Sequence, residues 1–218
     1  MNMDELKAIV EVANAYESYV AVHSYHDRSY NMALDAGVKS FEHGFLITEP
    51  TVKRMSETEG VFWSWQPFGS YTLFAGGFPD WFTADMIEKG TAVNKGAVIV
   101  PPLMRKHGVT VVLGSDMFGD EVKFARTNII SAKEVPNTGY TDLEIMKMAT
   151  SNCTKILKMS GPGRDPYKAA KLGVVEVGAW ADLNIWTKDP TKDVTALKSD
   201  DDLKLVIKGG KVYKNILK

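Results

Sequence analysis

Apolar positions along the first half of the chain alternate between a helical period and short runs that are apolar on both faces. Between residues 4 and 16, Leu6, Ile9, Val10, Val12 and Ala13 fall at helical spacing. Tyr19, Val20, Ala21 and Val22 then form a β-branched, apolar run that stops at His23. Strands buried between layers of helices read this way. The unit repeats. Residues 29–36 predict a helix closed by Gly37, and 38–42 a short strand ending in His43 and Gly44. A helix at 48–59, with Pro50 tolerated in its first turn, precedes Gly60 and a strand at 61–66. An irregular stretch at 67–94 leads to a helix at about 96–107, disturbed by Pro101 and Pro102, and then to a strand at 109–113. Such repeated helix-to-strand steps predict a parallel α/β sheet with right-handed crossovers.

After Asp116 the pattern changes. Residues 141–159 read as one long helix, opened by a capping box between Thr141 and Glu144. A Gly/Pro linker at 160–166 follows. Short strand patterns then appear at 173–176, 181–186 and 204–213, the last folded about Gly209 and Gly210. The expected organisation is an α/β part over 1–166 and a small β appendage over 167–218.

Composition narrows the function classes. Apolar residues make up 44% and charged residues 24%, ordinary for a globular protein. With a net charge of −1 and its cations dispersed, the chain builds no basic face for nucleic acid or an anionic membrane. Cys153 is the single cysteine, which excludes an intrachain disulfide or a cysteine metal cluster. No apolar stretch approaches the ~20 residues of a membrane span. Residues 1–10 lack the basic start of a signal peptide, so the default expectation is cytoplasmic, with export of a longer parent protein left open.

Three polar residues, His23, His43 and Asp116, stand at or just after the ends of predicted parallel strands. That edge is where α/β barrels assemble active sites. Two imidazoles and a carboxylate suit Zn or another divalent ion, and Asp116 could also take a proton from the attacking water. One histidine after a strand is usually a packing residue; three candidates on one edge point to a site. Gln66, at the end of the third strand, could bind substrate or tie down a loop. His26 reads as a residue at a helix start or on the surface, and His107 as favourable to a helix dipole. Phe68, Tyr71, Phe74, Phe78, Trp81 and Phe82 suggest a lid, a pocket wall or packing. Residues 160–168 lack the spacing of a phosphate loop.

The segments VAVHSYHDRSYNMALDAGVKSFEHG, GVTVVLGSDM and KLGVVEVGAWADLNIW, with VIKGGKVYKN, resemble the amidohydrolase superfamily in its imidazolonepropionase-like and Xaa-Pro dipeptidase-like branch. The resemblance implies half of a (β/α)8 barrel, strands five to eight, with part of an appended β-sandwich. It implies His23 and His43 as metal ligands after strands five and six, and Asp116 as the acid after strand eight that binds metal and carries the proton. Tyr25 falls where some relatives carry a His-Ala-Tyr-Thr segment, which implies a phenol available to a substrate carboxylate; the alternative is a loop aromatic packed at the barrel mouth. The implied activity is metal-dependent hydrolysis of an amide, peptide or cyclic-amide C–N bond in a small molecule or dipeptide.

Departures from the family pattern matter as much. No His-x-His pair occurs anywhere in the chain, and the strand that would carry the bridging lysine is missing. The expectation is therefore a truncated amidohydrolase with an incomplete ligand set, the rival reading being an inactive remnant or interaction module. Deamination is disfavoured, because Ser24, Tyr25 and His26 follow His23 and the next glutamate is Glu42. Open strand edges predict association, either with a second copy or with a complementary half.

Overall fold

The computed structural model describes residues 1–116 and 121–217; Met117, which closes one of the quoted motifs, lies outside them. Helix α1 (Met3–Ala15) opens with a capping box between Asn2 and Glu5, and buries Leu6 and Val10. Strand β1 (Ala21–His26), helix α2 (Asp27–Ala36), β2 (Ser40–Leu46), α3 (Glu49–Glu57) and β3 (Phe62–Trp65) follow in turn. A short α4 (Pro67–Ser70) and a 3-10 turn lead to α5 (Ala84–His107), and β4 (Thr110–Leu113) comes next. The four strands form one sheet in the order β1-β2-β3-β4, every neighbouring pair parallel. The alternation of helix and strand expected from the sequence is observed.

Boundaries differ in ways that bear on the site. β1 and β2 continue past their histidines, so His23 and His43 lie within the strands rather than at their ends. α5 is twice as long as the spacing predicts, because residues 84–94, expected to be irregular, are already helical. An aromatic cluster explains this: Phe74, Phe78 and Phe82 pack on one another, and Phe78 lies against Gly90 of α5. Those aromatics therefore brace a helix.

The predicted long helix after residue 140 is two, α7 (Asp142–Ala149) and α8 (Ser151–Lys158), broken at Thr150 with φ −128° and ψ −93°. The capping box between Thr141 and Glu144 is present. An additional helix, α6 (Glu121–Glu134), precedes them. α8 also covers the free side of β4: Asn152 Nδ2 donates to the Val111 carbonyl at 2.9 Å, and Cys153 Sγ meets the Leu113 carbonyl at 3.8 Å. β1 and β4 are the two edge strands of the sheet.

The C-terminal strands β5 (Leu183–Trp186), β6 (Leu203–Lys208) and β7 (Lys211–Asn215) form a three-stranded antiparallel sheet, with Gly209 and Gly210 at the β6–β7 turn. The strand expected at 173–176 is absent; only an isolated bridge, Lys171 to Ala179, occurs there. The appendage is not independent of the α/β part. Val194, fully buried, belongs to the main apolar cluster, and its N–H donates to Asp142 Oδ2 at 3.1 Å. Among the described residues no helix is long and apolar enough to cross a membrane.

The main core lies between β1–β4 and α2, α3, α5 and α7, with Trp63, Trp65, Phe41 and Tyr30 fully buried. Helix α5 reaches β2 through Gly96, where an added Cβ would stand 1.6 Å from the Phe45 carbonyl oxygen. No side chain fits between these backbones. Gly96→Ala is therefore expected to push α5 off β2 and cost about 1–3 kcal/mol, as overpacking does. Urea denaturation should show a lowered midpoint.

Candidate metal and hydrolytic site

Residues in register across a parallel sheet share a face, and successive residues alternate. His23 is in register with Glu42, Glu42 with Ser64, and Ser64 with Val112, which makes one row across the sheet. His43 is in register with Ser24, so regular alternation would send it to the opposite face. It does not go there. His43 has φ +71° and Gly44 follows at +70°, and this left-handed step turns the imidazole back toward the row. The result is a ring-centroid distance of 4.3 Å between His23 and His43.

The neighbours hold this step in place. Trp63 Nε1 donates to the His43 carbonyl at 2.6 Å. Tyr30, fully buried, lies against Gly44 so closely that a Cβ there would meet its hydroxyl at 2.1 Å. Among the described residues the non-glycine positions with positive φ are Glu17, His43, Asp116 and Asn137. Two of these are candidate ligands. Left-handed backbone at a non-glycine costs on the order of 1–3 kcal/mol and collects at functional sites.

Asp116 follows β4 and brings Oδ2 to 3.7 Å from His43 Nε2. Of the three residues singled out from the sequence, His43 thus lies near each of the other two. Their environments differ: His23 is exposed, His43 is 7% exposed, and the Asp116 side chain is 65% exposed. Burial lowers the His43 pKa below its ordinary 6.5, assisted by His23 and opposed by the charges of Asp116 and Glu42. A neutral imidazole is the form that ligates a metal.

Tyr25 stacks on His43, ring centroids 5.1 Å apart and planes 1° from parallel, and its edge meets His23 at 5.3 Å. Burial and the nearby Asp116 charge raise its pKa, so the phenol keeps its proton. A cavity of about 720 Å3 opens beside these residues, between His23, Tyr25 and His26 on one side and Glu88, Lys89 and Val93 of α5 on the other. Sequence reasoning missed α5 as its wall. Gln66 is 4% exposed and turns its amide nitrogen inward, to Ser64 Oγ at 2.9 Å. His26 caps α2 without a side-chain bond, and His107 lies 2.7 Å from Glu49.

Among the described residues no three His, Cys, Asp or Glu side chains form a group that could hold an ion unaided. What is present fits part of such a set: two imidazoles in ring contact and one carboxylate facing the buried ring. All three donors suit Zn.

A family model describes this arrangement of sequence. The chain belongs to the amidohydrolase family, matched over residues 2–213. Among solved structures, a prolidase complexed with N-methylphosphonate-L-proline is 27% identical with a TM-score of 0.80, covering 99% of this chain and 50% of that one. A. niger ochratoxinase is 25% identical with a TM-score of 0.81, covering 99% and 46% respectively. A Xaa-Pro dipeptidase with bound methionine shares the fold at 23% identity and a TM-score of 0.81, covering 99% and 49%. The chain thus spans about half the length of these structures. No curated protein sequence matches it.

The lowered pKa of His43 sets a pH dependence. Below pH 6.5 the unfolded chain protonates this histidine while the folded chain resists, so the unfolded state binds more protons. Stability from this group is complete above about 6.5 and is lost as pH falls toward the lower native value. The urea midpoint should drop between pH 7 and 5, and drop less in His43→Gln; equal slopes would refute the assignment.

Proposed function

We propose that the chain carries the C-terminal half of a metal-dependent amidohydrolase site, acting on the C–N bond of an amide in a small molecule or dipeptide. The observation that carries the reading is His43 placed against both His23 and Asp116, with 4.3 Å between the rings and 3.7 Å between Nε2 and Oδ2. In this reading β1–β4 are strands five to eight of an eight-stranded barrel, and β5–β7 are part of its β-sandwich. Residues 1–166 form the half barrel and 167–218 the sandwich portion.

When bound, a divalent ion such as Zn would polarise the amide carbonyl and acidify the attacking water. His23 and His43 would hold it as neutral donors through their ring nitrogens. Asp116 is exposed enough to meet both water and leaving group: it takes the proton from the attacking water and passes it to the departing nitrogen. Tyr25, protonated, offers a hydrogen bond to a substrate carboxylate from the cavity wall. A prolidase among the similar structures supports a dipeptide as the substrate class. The dispersed charge and the absence of a membrane-crossing helix among the described residues give no support to nucleic acid or a membrane as partner.

A second reading follows from the lack of a closed three-residue group among the described residues: an inactive remnant or interaction module. Zinc titration of the purified chain separates the two. The first reading predicts stoichiometric zinc, with affinity reduced at least about tenfold in His23→Ala or His43→Ala, no less than loss of an outer-shell partner costs. No uptake by the unaltered chain decides for the second.

The open β1 edge and the exposure of Ala21 and His23 support association, with a second copy or a complementary half. Light scattering after size exclusion should show a mass above that of one chain, or a rise when the complementary half is added. A well-folded monomer that takes up no such half would contradict it.

A further inference from the structure

One stripe of α5 runs from the core out into the cavity beside β1. At its inner end Gly96, Ala97, Val100 and Met104 are buried. Val93, one turn earlier, packs on the edge of that core. Further toward the start of the helix, at the same spacing of three and four, come Lys89, Glu88 and Asp85, which line the cavity of about 720 Å3 across from Tyr25. These turns are held in place from two directions. Thr83 Oγ1 caps the helix by accepting from the Met86 N–H at 3.3 Å. Phe78, braced by Phe74 and Phe82, lies so close to Gly90 that a Cβ there would stand 2.5 Å from its ring. The wall is therefore built before any ligand arrives, which lowers the cost of binding.

Its charge is unbalanced. Asp85 and Lys89 pair at 2.7 Å and cancel. Glu88 makes no ion pair among the described residues, so the wall keeps one negative charge. The helix dipole accounts for Asp85, which lies in the first turn, but fades before Glu88. Leu46, Ala92 and Val93 supply apolar surface to the same cavity. A ligand matched to this wall has an apolar body and a cationic end.

We propose that Glu88 is a specificity-determining residue, whose carboxylate takes the free ammonium of a dipeptide lying in this cavity, so that dipeptides are bound in preference to N-acylated amino acids. The amino-terminal side chain rests on Leu46 and Val93, and Tyr25, on the opposite wall, is left for the carboxylate. The cavity lies in the size range of pockets that enclose small ligands, about 300–1,000 Å3. The inference deepens the hydrolase reading, and rests on it for the dipeptide.

The test titrates the 15N-labelled chain, with metal withheld so that the dipeptide is not consumed. One ligand is alanylproline; the other is isobutyrylproline, in which a methyl group replaces the ammonium. The inference predicts shifts at the Gly90, Ala92 and Val93 amides, and alanylproline bound about fivefold more tightly, the upper worth of an exposed ion pair. Glu88 is exposed, so its replacement leaves the fold intact. Glu88→Gln should remove the preference and leave the affinity for isobutyrylproline unchanged, and Glu88→Lys should invert it. Equal affinities in the unaltered chain, a preference that survives in Glu88→Gln, or no shift at these amides with either ligand overturns the inference. The preference without zinc uptake upholds it and overturns the metal reading; zinc uptake without the preference does the opposite.

Discussion

At His43 the chain leaves strand geometry, with φ at +71° and Gly44 following at +70°, and the position of the imidazole depends on that step. Without it the ring would share a face with Ser24, its partner in register, and His23 would stand alone. Left-handed backbone is unfavourable at a histidine, so something must hold it. Two contacts do: the indole N–H of Trp63 on the His43 carbonyl, and the buried Tyr30 under Gly44. Both belong to the main core, and Gly96 completes the arrangement by letting α5 close on Phe45. Core packing and site geometry are thus one structural problem here.

The environments of the three candidate residues differ. His43, inside the protein, is kept neutral by burial. Asp116 stands mostly in solvent, where a carboxylate is hydrated and reaches a proton donor easily. His23 is exposed on an edge strand. The cavity between β1 and α5 lies on that same side.

The order of helices and strands in the first half was legible because glycines punctuate apolar runs of two distinct periods. Gly37 ends α2 in the left-handed conformation the pattern anticipates, and Gly108 ends α5 in the same way. The first half of α5 was not legible, since its register is fixed by distant aromatics and its own polar residues mask the period. The break at Thr150 was hidden for a similar reason: nothing in the local sequence forbids a continuous helix there. The candidate site residues were singled out as strand-end positions, although His23 and His43 lie within β1 and β2. The turn of His43 could not be foreseen, although the His43-Gly44 pair carried a hint of left-handed backbone. Nor could the inward turn of Gln66, whose amide meets Glu42 from another strand.

The central claim is that His23 and His43 serve one metal ion together with Asp116. X-ray absorption at the zinc edge of the zinc-loaded chain tests it most directly. The account predicts an all nitrogen and oxygen shell near 2.0–2.2 Å with the scattering signature of two imidazoles. A shell with one imidazole or none, or with sulfur from Cys153, would contradict it.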